Sequence, residues 1–300
     1  MKAIVIDEFG GIEKLQMKDI DRPTLEPDRM IVKMAATSVN PVDVKRRKGL
    51  FGGKTPMIIG GDVSGTVVEV GDDVTGFKVG DRIMANGAKT YAEFVVVNPD
   101  RAVVLPDMVS FEEAAAIPLA GQTAYEAVVT RGQVKDGQKV LIHGGSGGVG
   151  SLAVQIAKIK GAWVASTASG KNQSLLKDLD VDRPVDYKSE AFEELLDPVD
   201  FVFDTVGGDV QTRSLSVIKE GGHLLSIAAK PDENTAVKAE FFSMSPKKEA
   251  LEDLLTWLEE GKIRPVISEM LDFTEEGVRK AHELSETGHT GGKIILTFPE

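Results

Sequence analysis

The chain has 300 residues, no cysteine, and 35 lysines and arginines against 47 aspartates and glutamates, a formal charge of −12. With 42% apolar and 27% charged residues it has the composition of a soluble globular protein, which excludes a disordered or fibrous chain. The missing thiols exclude disulfides and every thiolate zinc site. The net acidity argues against a broad nucleic-acid or anionic-membrane surface. The first residues, MKAIVIDEFG, lack the apolar run and cleavage site of a secretory signal. The longest uncharged stretch, Val140 to Ala157, is broken by five glycines between Gly144 and Gly150, so it does not read as a membrane span. A cytoplasmic protein with no membrane or nucleic-acid partner is expected.

In chain order, Met1 to about Pro106 reads as short runs rich in Val and Ile: KAIVI, MIVKMAA, DVSGTVVEVG, DRIMA and AEFVVV. Gly, Asp and Pro bound them at short intervals, the pattern of a small antiparallel barrel or sandwich. After Ser110 the rhythm changes to strands alternating with helices. KVLIH (139–143) predicts a buried strand. In the following SLAVQIAKIKG, Leu152, Ile156 and Ile159 predict a helix with Gly161 at its C-cap. AWVAST (162–167), FVFDTV (201–206) and HLLSIA (223–228) predict further strands of a parallel sheet covered on both faces. VKAEFFSM (237–244) reads as a late edge strand that would invite a second subunit. A charged helix over 249–262, PVISEML, another helix and the strand GGKIILTF (291–298) follow. Residue pattern alone lets that last strand return to either domain.

The loop after KVLIH contains G-x-G-x-x-G at Gly145, Gly147 and Gly150. The motif gains force from its place, after an apolar strand and at the start of an amphipathic helix. There, glycines permit a tight turn, and unpaired N–H groups face a dinucleotide pyrophosphate. An NAD site usually presents an acid about 20 residues on, for the ribose 2′-hydroxyl. Here no acid occurs between Asp136 and Asp178, and the strand end reads Ser166-Thr167-Ala168-Ser169-Gly170-Lys171. Hydroxyls and a lysine suit a 2′-phosphate, which predicts NADPH as the cofactor.

These residues resemble those of the zinc-free medium-chain dehydrogenase/reductases, in the quinone oxidoreductase (zeta-crystallin-like) branch. The resemblance is carried by SVNPVD (38–43), GGDVSGTVVEVG (60–71), FKVGDRI (77–83), TYAEFVVV (90–97), AAAIPLAGQTAYEAV (114–128), HGGSGGVGSLAVQIAK (143–158), FDTVGG (203–208) and GHTGGKIIL (288–296). It implies an α/β protein with a GroES-like β-barrel catalytic domain, residues 1–116 completed by 262–300. A Rossmann doubly wound parallel-sheet domain would span 117–261, with the active site in the cleft between the two. It also implies that the terminal strand rejoins the barrel and that the protein is a homodimer or higher homo-oligomer. Zinc-using members carry G-H-E where this chain has Gly60-Gly61-Asp62, and a cysteine near Asn40. No catalytic metal is therefore expected. Of the four histidines, only His143 adjoins a motif, and it reads as a satisfied strand-end imidazole.

Without zinc there is no Lewis acid to generate an alkoxide for alcohol oxidation, whereas a quinone or an α,β-unsaturated carbonyl (enal or enone) accepts hydride more easily. The resemblance places Asn40 at the nicotinamide–substrate cleft and Thr123 at the nicotinamide end of NADPH. Gly145, Ser146, Gly147, Gly148 and Val149 match the pyrophosphate loop, and Ser169 and Lys171 the 2′-phosphate grip. Tyr187 is expected beside the adenosine half, Gly207 and Ala228 along the cofactor trough, and Lys293 as a further contact. Where related quinone reductases carry a tyrosine near the substrate, this chain has Lys45, in the basic run Lys45-Arg46-Arg47-Lys48. That cation either polarises a carbonyl oxygen or sits in solvent. The competing reading is a noncatalytic NADPH-binding sensor or structural protein; an alcohol dehydrogenase is disfavoured by the missing zinc ligands. The shape of the acceptor site is expected to depend on loops around 45–57 and 230–245.

Overall fold

The computed structural model describes residues 1–232 and 237–299, so part of the loop around 230–245 lies outside the described residues. The chain forms two compact units, one of Met1–Leu119, Pro246–Glu260 and Ile267–Glu300, the other of Ala120–Ser245 and Gly261–Val266.

The Val- and Ile-rich runs of the first unit become strands because alternate residues can be buried on one face. In Met30–Val39, for example, Met30, Val32 and Met34 enter one core cluster with Val63, Val67, Ile83 and Val95. The main sheet runs in the order Ile267–Asp272, Lys293–Thr297, Met30–Val39, Asp62–Val70, Arg82–Asn86, Ala102–Val104, and Phe94–Val97 also pairs with Met30–Val39. The terminal strand thus returns to this unit, antiparallel to Met30–Val39 with Ile295 opposite Ser38. A second small sheet joins Gln16–Asp19, Lys2–Ile6 and Met57–Ile58.

The second unit holds a parallel sheet of six strands among the described residues: Lys139–His143, Trp163–Ala168, Arg183–Asp186, Val199–Asp204, Ile218–Ser226 and Lys238–Phe241. Numbered in chain order, they lie 3-2-1-4-5-6, the doubly wound arrangement whose strand order reverses beside the first strand. Lys238–Phe241, from the segment read as a late strand, lies at the edge in parallel register with His223–Ser226. The helix Gly148–Ile159 ends where Gly161 turns with φ +79°. No helix among the described residues is long and apolar enough to cross a membrane.

Two segments fall otherwise than the expected boundaries. The helix Lys248–Glu259, assigned from sequence to the nucleotide domain, packs against Ala102–Val104 of the first unit and buries Ala250, Leu251, Leu254 and Leu255. Lys248 adds a cation over the Phe77 ring, 5.3 Å from its centroid. Residues 262–266, assigned to the barrel, join the second unit instead. Gln155 donates to the Arg264 carbonyl (3.0 Å) and accepts the Arg264 N–H (2.9 Å).

The G-x-x-x-x-G spacing of the 60–71 segment has a packing cause at Gly65. A Cβ there would lie 2.2 Å from the Lys33 carbonyl oxygen of the neighbouring strand, and a backbone atom cannot step aside. Gly65→Ala is expected to destabilise the protein by about 1–3 kcal/mol, read as a lower denaturation midpoint with the far-ultraviolet spectrum retained.

Candidate active site

The glycine loop sits at the C-terminal end of the first strand of the parallel sheet. Its glycines are required by close approach. A Cβ on Gly145 would meet Ser166 Oγ at 1.9 Å, and one on Gly150 would meet the Gly144 carbonyl oxygen at 2.1 Å. The loop is tied to the second strand by Gly145 N–H to the Thr167 carbonyl (3.1 Å) and Gly144 N–H to Thr167 Oγ1 (3.2 Å). Gly147 opens the twelve-residue helix Gly148–Ile159, and no side chain caps it. The first N–H groups of that helix therefore face outward from a Cβ-free turn, a cradle that fits a pyrophosphate.

Other predicted cofactor residues gather at the same ends of the strands. Buried Ser146 accepts a hydrogen bond from Asn172 Nδ2 at 3.1 Å, which links the glycine loop to the turn holding Ser169 and Lys171. Val149 is half-buried in the first turn of the helix, and Tyr187 is exposed. Gly207, with φ +78°, would place a Cβ 3.1 Å from Ala228 Cβ, so the fourth and fifth strand ends touch at these two residues. Asp204 joins them. Its Oδ1 accepts the N–H groups of Val206 (2.9 Å) and Gly207 (2.8 Å), and its Oδ2 accepts Ser226 Oγ (2.7 Å) and Gln211 Nε2 (3.0 Å). Thr123 lies buried in the helix Pro118–Tyr125. His143 is buried between Thr167 Oγ1 (3.1 Å) and Ser214 Oγ (2.8 Å), and burial lowers its pKa to about 4. That is the environment of a neutral, satisfied imidazole.

In the first unit, Asn40 and Lys293 meet, 253 residues apart. Asn40 precedes the helix Pro41–Arg47, and its N–H donates to Asp43 Oδ2 at 2.9 Å. Its carboxamide turns away from the helix. Nδ2 donates to Asp62 Oδ2 at 2.7 Å, and Oδ1 accepts Lys293 Nζ at 2.5 Å. The fully buried Asp62 also accepts Ser38 Oγ and the Leu119 N–H (2.8 Å), and lies 3.8 Å from Lys293 Nζ. Flipping the Asn40 amide would set NH₂ against ammonium and oxygen against carboxylate, so its orientation is locked by charge. Burial pushes the Lys293 pKa down, and Asp62 and Asp43 oppose that shift.

The basic run is divided rather than uniformly solvated. Lys45 is exposed and shares no hydrogen bond with Asn40 or its partners, while Arg47, on the face of Asp43 and Val44, is completely buried. Arg47 pairs with Glu286, donates to the Gly10 carbonyl (3.1 Å) and meets His282 Nδ1 (3.3 Å), whose Nε2 meets Tyr91 Oη (3.1 Å). Burial first, and then the nearby Asp43 carboxyl, raise the pKa of the Tyr91 hydroxyl. Burial raises the Asp43 carboxyl to about 7 and lowers His282 to about 3. Sequence reading missed Asp43, Arg47, Asp62 and His282 as one network; their only local signal was the 43/44/47 spacing.

The site residues do not fit a catalytic zinc. Gly61 offers no imidazole, Asn40 no thiolate, and no group of three His, Cys, Asp or Glu among the described residues is arranged to hold a metal.

The family model described as "Alcohol dehydrogenase GroES-like domain" matches residues 26–107, and "Zinc-binding dehydrogenase" matches 179–296. The 2-methylene-furan-3-one reductase of Solanum lycopersicum is 36% identical over 99% of this chain and 79% of its own. The chloroplastic NADPH-dependent alkenal/one oxidoreductase of Arabidopsis thaliana is 35% identical with the same coverage. The solved quinone oxidoreductase from Coxiella burnetii superposes with a TM-score of 0.90 at 36% identity, covering 99% of each chain.

Breaking the buried pair with Lys293→Met leaves the Asp62 carboxylate uncompensated and is expected to cost about 3–5 kcal/mol. In chemical denaturation, the double variant Asp62→Asn/Lys293→Met should recover most of that loss. The titrating groups give a second expectation. His143 and His282 ordinarily titrate at 6.5 but stay neutral in the fold down to about 4 and about 3. Their stabilisation is present above 6.5 and lost as pH falls. Asp43, raised from 3.8 to about 7, has the opposite sign, losing stabilisation as pH rises through that window. Asp43→Asn removes this offset, so between about pH 4.5 and 6 its stability should fall with acidification more steeply than wild type, by about 1.4 kcal/mol per pH unit.

Proposed function

Because the chain belongs to the medium-chain dehydrogenase/reductase family, in its quinone oxidoreductase branch, we propose that it is an NADPH-dependent, zinc-independent enzyme. In this reading it transfers hydride to a quinone or to an α,β-unsaturated carbonyl acceptor. The observation that carries the reading is the glycine cradle. Gly145 and Gly150 admit no side chain, and the twelve-residue helix behind them begins without a side-chain cap.

The bound cofactor supplies a hydride to the electrophilic carbon of the acceptor, and one proton from solvent completes the reduction. The residues of the chain bind and orient. Gly145, Ser146, Gly147, Gly148 and Val149 hold the pyrophosphate, and Asn172 steadies Ser146. Ser169 and Lys171 hold the 2′-phosphate, Tyr187 lies beside the adenosine, and Gly207 and Ala228 line the trough. Thr123 contacts the nicotinamide end. Asn40 faces the reacting centre with its amide orientation set by Asp62 and Lys293, and the exposed Lys45 lies at the acceptor's approach. The family relatives named as alkenal/one and furanone reductases favour enals and enones alongside quinones as substrates.

NADPH consumption with a panel of quinones, enals and enones tests the reading. Turnover on at least one acceptor is expected; tight NADPH binding with no turnover would support the noncatalytic alternative. A charge-assisted hydrogen bond to a phosphate contributes about 1.5–3 kcal/mol. Lys171→Ala is therefore expected to lower kcat/KM for NADPH roughly tenfold to a hundredfold, with little change for NADH.

A further inference from the structure

The acid-free interval from Asp136 to Asp178 puts no carboxylate near the Ser169–Lys171 turn in sequence, yet the fold delivers one from the neighbouring strand. Trp163–Ala168 and Arg183–Asp186 pair in parallel with Ala168 opposite Asp186, so the two strands end level. A Cβ built on Gly170 would lie 2.9 Å from Asp186 Oδ2. The carboxylate therefore rests against the turn that joins Ser169 to Lys171, and glycine at 170 is what leaves it room. The Asp186 strand end is held firmly. Its N–H donates to Glu190 Oε2 at 2.8 Å, and its Oδ1 accepts the Lys188 N–H at 3.1 Å. Glu190 is itself paired with Arg183 at 3.2 Å. Oδ2 accepts no hydrogen bond from any described residue.

Building on the NADPH reading above, we propose that Asp186 is a specificity-determining residue of the cofactor site. Its Oδ2 repels a 2′-phosphate and offers an acceptor to a free 2′-hydroxyl, so it tempers the preference that Ser169 and Lys171 create. A carboxylate and a phosphate dianion several ångströms apart at a water-exposed surface repel by enough to shift a binding ratio about threefold to tenfold at low salt. The acid that sequence reading seeks about 20 residues beyond the glycine loop thus arrives on the third strand instead of the second. The grip it completes is two-sided, able to hold both nicotinamide dinucleotides.

The test is calorimetric and needs no turnover. Adenosine 2′,5′-bisphosphate and 5′-AMP, with and without the 2′-phosphate, are titrated into the full chain and into Asp186→Asn, whose side-chain oxygen can still accept the Lys188 N–H. Asp186→Asn should raise the ratio of the two association constants about threefold to tenfold, and the gain should shrink between about 20 mM and about 0.5 M salt. A ratio within twofold of wild type at low salt would overturn the proposal, as would a gain that salt does not alter, which would mark a packing effect. Lys171→Ala is measured alongside. Unchanged affinity of that variant for the bisphosphate would count against the NADPH reading itself, while the Asp186→Asn ratio would still decide the present proposal.

Discussion

Burying the Asp62 carboxylate obliges the first unit to surround it with donors, because an ionised group without partners in a low-dielectric interior is too costly to keep. Those donors come from three separate stretches: Ser38 and Asn40 from the strand Met30–Val39 and the residue after it, the Leu119 N–H, and Lys293 from the terminal strand. One side chain thereby couples the strand pairing of Lys293–Thr297 with Met30–Val39 to the orientation of the Asn40 amide. A second layer extends from Asp43 through Tyr91 and His282 to Arg47 and Glu286. It anchors the inner face of the helix Pro41–Arg47 and leaves Lys45 and Arg46 outward.

The second unit meets its constraint by different means. Parallel strands end together, and the loops leaving them carry N–H groups that the sheet does not satisfy. Asp204 accepts two of these N–H groups and binds Ser226 and Gln211, which draws Gly207 against Ala228. At the glycine loop Thr167 Oγ1 accepts the Gly144 N–H, but no side chain caps the helix that follows.

Features that depend on neighbours in the chain were legible. The strand KVLIH, the helix after it, its stop at Gly161 and the edge strand near 238 all follow from period and turn chemistry over a dozen residues. Features that depend on distant partners were not. Arg47 looked like one of four solvated cations until Glu286 and His282 accounted for its burial. The helix Lys248–Glu259 has an amphipathic pattern that says only that one face is covered. It does not say by which unit, and the apolar stripe of Ala250, Leu251, Leu254 and Leu255 met the first. Asn40 before Pro41 has the local chemistry of a turn former, but its amide serves a carboxylate and an ammonium brought from distant strands.

By itself, then, the sequence determined the fold class and the position of the glycine loop, since each rests on local residue patterns whose physics acts within one turn or one strand, while the family came from the resemblance of its motifs. Only the tertiary structure decided the electrostatics. Charges interact through space, and the spacing that matters is set by strand register. Read linearly, the interval from Asp136 to Asp178 is free of acid. In the folded sheet, Asp186 stands opposite Ala168 and places its carboxylate against Gly170.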